Sequence, residues 1–304
     1  MDQVAGRHRI VVGVDGSAGA GYAIEWAVRE TELRRASLEL VHAWTFPYFV
    51  SPMGVPAGYW DTASSETAAK EVLERQAEAH GLDTRIDRDR LTTICVGGGA
   101  AAALLARAED ADLLVVGSRG RGGFSGLVLG SVSLQCLHHA PCPVTVVRDP
   151  RPAEVRRVLV GVDGSDRSAV ALAWAADEAG RRGATLVVAH AWIAPYPSVP
   201  FGPTVTPRDL VRIADGCGAM VDEMTDVAVA AADHQPPAVE KRVMENTPRA
   251  ALMELAEDAD LLVIGSRGRG GFAGLLLGSV SQYCVHHAPC AVTVVPTARD
   301  RQES

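Results

Sequence analysis

Residues 108–133 read AEDADLLVVGSRGRGGFSGLVLGSVS, and this stretch determines how the rest of the chain is interpreted. Leu113–Val116 is a continuous run of Leu and Val, which is typical of a strand buried on both faces. A loop dense in glycine follows, and a helical pattern begins near Ser131, a residue type that caps helix N-termini. Glycines allow backbone N–H groups to approach an anion, and a helix N-terminus adds partial positive charge. The order of strand, loop and helix therefore predicts an α/β unit with a candidate phosphate site.

The same stretch occurs again 148 residues later, at positions 256–281, with 23 of 26 positions identical. Val12–Ser17 (VGVDGS) recurs as Val160–Ser165, and the tripeptide His-Ala-Trp at 42–44 recurs at 190–192. A period of this length is that of a whole domain. A charged stretch with two prolines, near residues 148–157, separates the copies. We expect two homologous domains, residues 1–150 and 151–304.

Each copy alternates short apolar runs with longer helical patterns. The runs of the first copy are Ile10–Val14, Leu38–Ala43, Leu91–Val96, Leu113–Val116 and Val144–Val147. This alternation predicts the α/β class, with two tandem five-stranded parallel doubly wound (Rossmann-like) domains. With the strand order 3-2-1-4-5, the order reverses between strands 1 and 4, where Asp15 and Gly117 lie and where such sheets bind ligands. Pairing of the two apolar closing strands would give a pseudo-twofold pair of domains.

Charge and hydropathy exclude several classes of protein. The formal net charge of −8 and the pI near 5.6 argue against nucleic acid as a partner, because neutralising phosphates needs clustered Lys and Arg. No run reaches the roughly 18 apolar residues of a membrane helix, and the N-terminal apolar run is too short for a signal peptide. We therefore expect a soluble cytoplasmic protein that does not bind a membrane.

The glycine loop matches neither of the two common nucleotide motifs. It has no Gly-Lys-Ser/Thr, as a Walker A loop would, and it follows strand 4, whereas a dinucleotide fingerprint follows strand 1. The alternative interpretation is that this glycine-rich loop only connects the strand to the helix and binds no ligand. The spacing of Gly117, Gly120, Gly130 and Ser131, repeated at positions 265, 268, 278 and 279, resembles that of the ATP-binding members of the universal stress protein family. This resemblance covers both copies from end to end.

The resemblance implies two ATP sites. Asp15 and Asp163 would meet the adenosine end, backbone before each Asp would line the floor, and backbone at Ala43 and Ala191 would recognise adenine. The glycine loops and the helix starts would hold ribose and phosphates, with Mg²⁺ bridging the phosphates. The implied first site comprises Gly13, Val14, Asp15, Ala43, Gly117, Ser118, Arg119, Gly120, Arg121, Gly122, Gly123, Gly130, Ser131, Val132 and Ser133. The implied second site comprises Gly161, Val162, Asp163, Ala191, Gly265, Ser266, Arg267, Gly268, Arg269, Gly270, Gly271, Gly278, Ser279, Val280 and Ser281.

One departure from the family pattern and one alternative role for Asp15 qualify these two implied ATP sites. Many family members have Pro-Thr or a similar pair before the Asp, where this chain has Gly-Val, which changes the floor of the pocket. Asp15 is followed by Gly-Ser, so its carboxylate is also suited to capping the first helix.

The repeated segment Cys136–Cys142, with two histidines inside it, contains metal-ligating residue types. Its spacing matches no standard zinc pattern, and its cysteines have apolar neighbours. We expect inert buried thiols and no metal site.

Three functions remain in view. The first is a nucleotide-dependent stress or metabolic sensor that forms a homodimer, with a regulatory partner that the sequence does not name. The second is a slow ATPase or a phosphotransferase, which needs Mg²⁺ ligands and a group that positions the nucleophile. Beyond Asp15 and Asp163 no repeated residue is well placed for that task, so no catalytic residue is assigned. The third is a nucleotide-free interaction scaffold.

Overall fold

The computed structural model describes residues 8–45, 62–120, 129–148, 154–194, 206–234, 238–269 and 276–297. The chain divides into two compact units, Met1–Asp149 and Pro150–Ser304. Within the described residues, no helix combines the length and the apolar character that crossing a membrane requires.

The first unit is a parallel sheet with helical connections. Its strands are β1 (Arg9–Gly13), β2 (Ser37–Trp44), β3 (Leu91–Gly97), β4 (Leu113–Gly117) and β5 (Val144–Val147). Its helices are α1 (Ala18–Arg34), α2 (Thr62–Ala79), α3 (Leu82–Arg85), α4 (Ala100–Ala108) and α5 (Ser131–His139). Strand β1 pairs with β2 on one side and β4 on the other, β2 pairs with β3, and β4 pairs with β5. The strand order reverses between β1 and β4.

The second unit repeats this arrangement. Its strands are β6 (Arg157–Gly161), β7 (Thr185–Trp192), β8 (Ala238–Glu245), β9 (Leu261–Gly265) and β10 (Ala291–Val295). Its helices are α6 (Asp166–Arg182), α7 (Pro207–Ala231), α8 (Pro248–Ala256) and α9 (Ser279–His287). Strand β6 lies between β7 and β9, with β8 beyond β7 and β10 beside β9, and all four pairings are parallel. The predicted fold class, two tandem α/β Rossmann-like domains, is confirmed.

The central strands are buried on both faces. Ile10, Val11 and Val12 have no solvent exposure. Successive side chains of a strand point to opposite faces, so both faces of β1 are covered, and helices α1 and α4 both contact this strand. Burying each such side chain stabilises the fold by about 1.5–3 kcal/mol. Polar strands would forfeit this stabilisation, which explains why the strands read as continuous apolar runs.

The repeated cysteines lie in the cores of the two units. Cys136 and Cys142 are buried in the first unit, and Cys284 and Cys290 are buried in the second. Burial raises the pKa of the Cys136, Cys142 and Cys284 thiols to about 12, because a thiolate there would lose its hydration. Among the described residues, no group of three or more His, Cys, Asp or Glu side chains is arranged to hold a metal ion.

We expect a thiol reagent at pH 8 to label Cys95 and Cys217, which are half-buried, and to leave the four buried cysteines unlabelled in the native protein. Mass spectrometry of the labelled peptides measures this pattern. In denaturant all six cysteines should react, and the Cys217→Ser variant should lose only its own labelled peptide. Rapid native labelling of Cys136 or Cys284 would contradict this account of the core.

Candidate functional site

Each unit has a cleft of about 490 Å³ at the carboxyl ends of its central strands. The first cleft lies where β1 and β4 end, and the second lies where β6 and β9 end. These are the points at which the strand order reverses, where open α/β sheets bind their ligands. The volume is within the range of about 300–1,000 Å³ that is usual for small-molecule sites.

The floor of each cleft is backbone at the end of the first strand. The Val14 N–H donates to the Val41 carbonyl (2.9 Å), and the Val162 N–H donates to the Ala189 carbonyl (2.8 Å). A Cβ atom at Gly13 would lie 2.9 Å from Leu104 Cδ1, and one at Gly161 would lie 3.1 Å from Leu252 Cδ1. The glycine at this position therefore lets a leucine pack directly against the strand.

A histidine in the second strand of each unit fixes this floor. His42 Nδ1 lies 2.6 Å from the Val14 carbonyl oxygen, and His190 Nδ1 lies 2.8 Å from that of Val162. Since a carbonyl oxygen only accepts, the proton is on Nδ1 in both rings. The sequence predicts strand 2 for both histidines but no role, and their repeat at a spacing of 148 residues is the one signal that marks them.

Glycine at the end of β4 allows two backbone segments to touch. A Cβ atom at Gly117 would lie 2.7 Å from both the carbonyl carbon and the carbonyl oxygen of Gly19, in the first turn of α1. In the second unit Arg167 occupies the position of Gly19, and a Cβ atom at Gly265 would lie 3.1 Å from its carbonyl oxygen. Any side chain at Gly117 must move backbone, whereas the contact at Gly265 is less tight.

The helices that follow the glycine loops begin without a side-chain cap. The N-cap residues are Gly130 and Gly278, and neither α5 nor α9 has a side-chain cap hydrogen bond. The expectation that Ser131 caps the helix is wrong, because Ser131 is already the first helical residue. Gly130 adopts the cap conformation, and its N–H donates to the Ser118 carbonyl (2.8 Å).

The serines of these helix starts also leave the first-turn N–H groups uncapped. The hydroxyl of Ser133 donates to the Gly117 carbonyl (2.7 Å), and that of Ser281 donates to the Gly265 carbonyl (2.8 Å). These bonds join each helix to the end of its preceding strand. The residues of the first turn line the cleft, and first-turn N–H groups lack a partner inside a helix, so they are suited to bind an anionic ligand.

An aspartate stands at the mouth of each cleft. Asp15 Oδ1 accepts from the Ser17 N–H (2.9 Å), and Asp163 Oδ1 accepts from the Ser165 N–H (3.0 Å). The N-cap residue of α1 is Ser17, whose hydroxyl accepts from the Ala20 N–H. Asp15 therefore forms the turn before the helix, and the cap itself is the serine.

The charge of Asp163 is stabilised by its hydrogen bonds. Burial by itself would raise the pKa of this carboxyl. The Ser165 hydroxyl, the Arg269 N–H and the Ser165 N–H donate to it, and together with Ser168 they hold its pKa below the ordinary value. The carboxylate is therefore ionised at neutral pH.

Most of the predicted site residues lie together around the two clefts. Those that line the first cleft are Gly13, Val14, Asp15, Ala43, Gly117, Arg119, Gly120, Gly130, Ser131, Val132 and Ser133. Those that line the second are Gly161, Val162, Asp163, Ala191, Gly265, Arg267, Gly268, Arg269, Gly278, Ser279, Val280 and Ser281. Ser118 and Ser266 are buried behind the clefts and contribute carbonyl groups to the loops. Arg121, Gly122, Gly123, Gly270 and Gly271 lie outside the described residues.

The apolar walls were not predicted. In the first cleft they are formed by Ala20, Val41, Ala100, Leu104, Val116 and Leu129. In the second they include Ala189, Pro248, Ala251, Leu252 and Ile264, with the polar Ser168 in the place of Ala20. The available signal was the position of these residues at strand ends and in first helical turns, where side chains reach the carboxyl edge of a sheet.

Comparison with known proteins identifies a family and several relatives that this chain resembles over nearly its whole length. The profile described as the universal stress protein family matches residues 6–148 and 154–296. A universal stress protein of Mycolicibacterium smegmatis is 36% identical over an alignment of 314 positions that covers 97% of this chain and 99% of that protein. One from Mycobacterium tuberculosis is 34% identical over an alignment of 303 positions that covers 94% of this chain and 95% of that protein.

A solved structure shares the fold. The universal stress protein from Archaeoglobus fulgidus DSM 4304 superposes with a TM-score of 0.65 and 20% identity, covering 96% of this chain and 97% of that one. At this identity the likeness is one of fold alone. The two profile matches and the relatives that span nearly the whole chain establish the assignment. The chain belongs to the universal stress protein family.

Proposed function

We propose that the chain binds one ATP in each cleft and acts in the stress response as a nucleotide-dependent regulator. The observation that carries the proposal is the pair of helix starts at α5 and α9, which have no side-chain N-cap hydrogen bond and which line the clefts. A helix N-terminus in this setting attracts a phosphate group through its N–H groups and its dipole. Regulation would follow from a difference in ATP affinity between two states of the protein or its homodimer.

The lining of the first cleft combines two kinds of surface, as a nucleotide does. Leu104, Val116 and Val41 provide apolar surface for a base. Gly117, Gly130 and Ser131 provide backbone for an anionic tail. A ligand with a flat apolar base and an anionic tail satisfies both surfaces at once, whereas free phosphate satisfies only one.

The described cleft residues supply little for catalysis. Among them, each cleft has a single carboxylate, Asp15 or Asp163. The oxygens of Asp163 already accept from the Ser165 N–H, the Ser165 hydroxyl and the Arg269 N–H. Mg²⁺ that accompanies ATP is therefore expected to bind mainly to the phosphates. Binding, with hydrolysis slow at most, is the function that this arrangement supports best.

The direct test is to purify the protein, denature it and identify any nucleotide that it releases. We expect up to two equivalents of ATP per chain, since the clefts have the same volume and corresponding linings. Titration of nucleotide-free protein with ATP, ADP, AMP and cyclic AMP then ranks the ligands. Accumulation of ADP with turnover would favour an ATPase, and a protein that neither releases nor binds nucleotide would favour the scaffold.

Substitution of the strand-end glycines should affect the two sites unequally. Gly117→Ala places a methyl group against Gly19 backbone, so we expect loss of one equivalent of bound ATP. Gly265→Ala has a contact of 3.1 Å with a carbonyl oxygen, so we expect weaker binding at the second site without its loss. Calorimetric titration measures both stoichiometry and affinity.

The matched control is Gly216→Ala in α7, where a Cβ atom meets nothing within 4 Å. It should bind as the unmodified protein does, and circular dichroism should show that all three variants are folded. If Gly117→Ala retained two equivalents of unchanged affinity, the first cleft would not be a nucleotide site.

A further inference from the structure

The Asp163 carboxylate joins two loops across the mouth of the second cleft. Its Oδ1 accepts from the N–H (3.0 Å) and the hydroxyl (2.6 Å) of Ser165, in the loop after β6. Its Oδ2 accepts from the N–H of Arg269 (2.8 Å), in the glycine loop after β9. The Arg269 guanidinium donates a hydrogen bond to the Gly164 carbonyl (2.9 Å), so a second contact joins the same two loops.

The glycine before Arg269 is required by this contact. A Cβ atom at Gly268 would collide with Asp163 Oδ2. Gly268 does not have a positive φ, so its backbone conformation is open to any residue. The reason for glycine at this position is therefore the close approach of the carboxylate, and not backbone freedom.

The first unit shares the close approach of the carboxylate to a loop glycine. A Cβ atom at Gly120 would collide with Asp15 Oδ2, and Gly120 also lacks a positive φ. Asp15 Oδ1 accepts from the Ser17 N–H (2.9 Å), in the loop after β1. In each unit one carboxylate oxygen is held by the loop after the first strand, while the other lies against the glycine loop.

We propose that Asp15 and Asp163 are positioning residues, which hold the first residues of each glycine loop, 117–120 and 265–269, in the place where they can receive phosphates. The resemblance described under Sequence analysis implies instead that both residues contact the adenosine end of the ligand. If an aspartate acts through the loop, its removal weakens binding more for each phosphate that the ligand carries. If it contacts the adenosine end, its removal weakens all adenine nucleotides and adenosine alike. The expected effect on ligand affinity rests on the proposed ATP function. The hydrogen-bonded bridge between the two loops does not depend on that function.

The bridge is tested without any nucleotide by hydrogen exchange at the Arg269 amide. We expect Asp163→Ala to speed this exchange about tenfold or more, because a charge-assisted hydrogen bond is lost. Gly268→Ala should speed it as well, because the new methyl group displaces the carboxylate. In the double variant Gly268→Ala should add nothing, since there is no carboxylate left to displace.

The control for this cycle is Gly218→Ala in α7, where a Cβ atom meets nothing within 4 Å. It should leave exchange at Arg269 unchanged. The proposal is overturned if Asp163→Ala does not alter that exchange. It is equally overturned if Gly268→Ala has the same effect in the presence and in the absence of Asp163.

The consequence for binding is tested with adenosine, AMP, ADP and ATP. In the double variant Asp15→Ala and Asp163→Ala, which changes both clefts alike, we expect adenosine affinity to change less than about threefold. The affinity for ATP should fall about tenfold or more, with AMP and ADP in between. An equal loss for all four ligands would overturn the positioning role. If the unmodified protein binds none of the four, the proposed function fails, and the exchange cycle still decides whether the bridge exists.

Discussion

The clefts depend on the contact between the first turn of α1 and the end of β4. Parallel strands that end at the same edge bring the loops after β1 and β4 side by side, and α1 packs against both strands. Gly117 and Gly19 meet with no side chain between them, so the glycine loop starts directly beside the helix. A side chain at Gly117 would push against the backbone of α1, and one at Gly19 would meet the Arg119 carbonyl. In the second unit Arg167 occupies the position of Gly19, and the corresponding contact at Gly265 is less tight.

This constraint explains which features the sequence could predict. The apolar strands can be recognised in the sequence because both faces of β1 are buried. The glycine spacing can be recognised because the Gly19 backbone at Gly117 and the Asp15 carboxylate at Gly120 leave no room for a side chain. The helix cap is different. Ser131 is a better capping residue than Gly130 in general, yet the Ser118 carbonyl fixes Gly130 in the cap position. That choice depends on a contact between residues twelve apart, which local propensity does not contain.

The His42 bond to the Val14 carbonyl and the apolar walls escaped prediction for a related reason. A histidine inside a strand looks the same in sequence whether its ring faces solvent or a neighbouring carbonyl. Leu104 and Val116 look like ordinary core residues, because the last core position of a strand or helix is also the first position of the cleft wall. The sequence therefore indicates where a site lies more readily than what its walls are made of.

The hydrogen bonds of Asp163 also determine how its charge responds to pH. Its pKa in the folded protein is lower than its ordinary value of 3.8. A group with a lowered folded pKa contributes stability that is present above the unfolded pKa and is lost as the pH falls through the folded value. The bond to Arg269 is therefore intact across the neutral range and weakens only in acid below about pH 4. Changes of cellular pH near neutrality therefore leave this carboxylate charged.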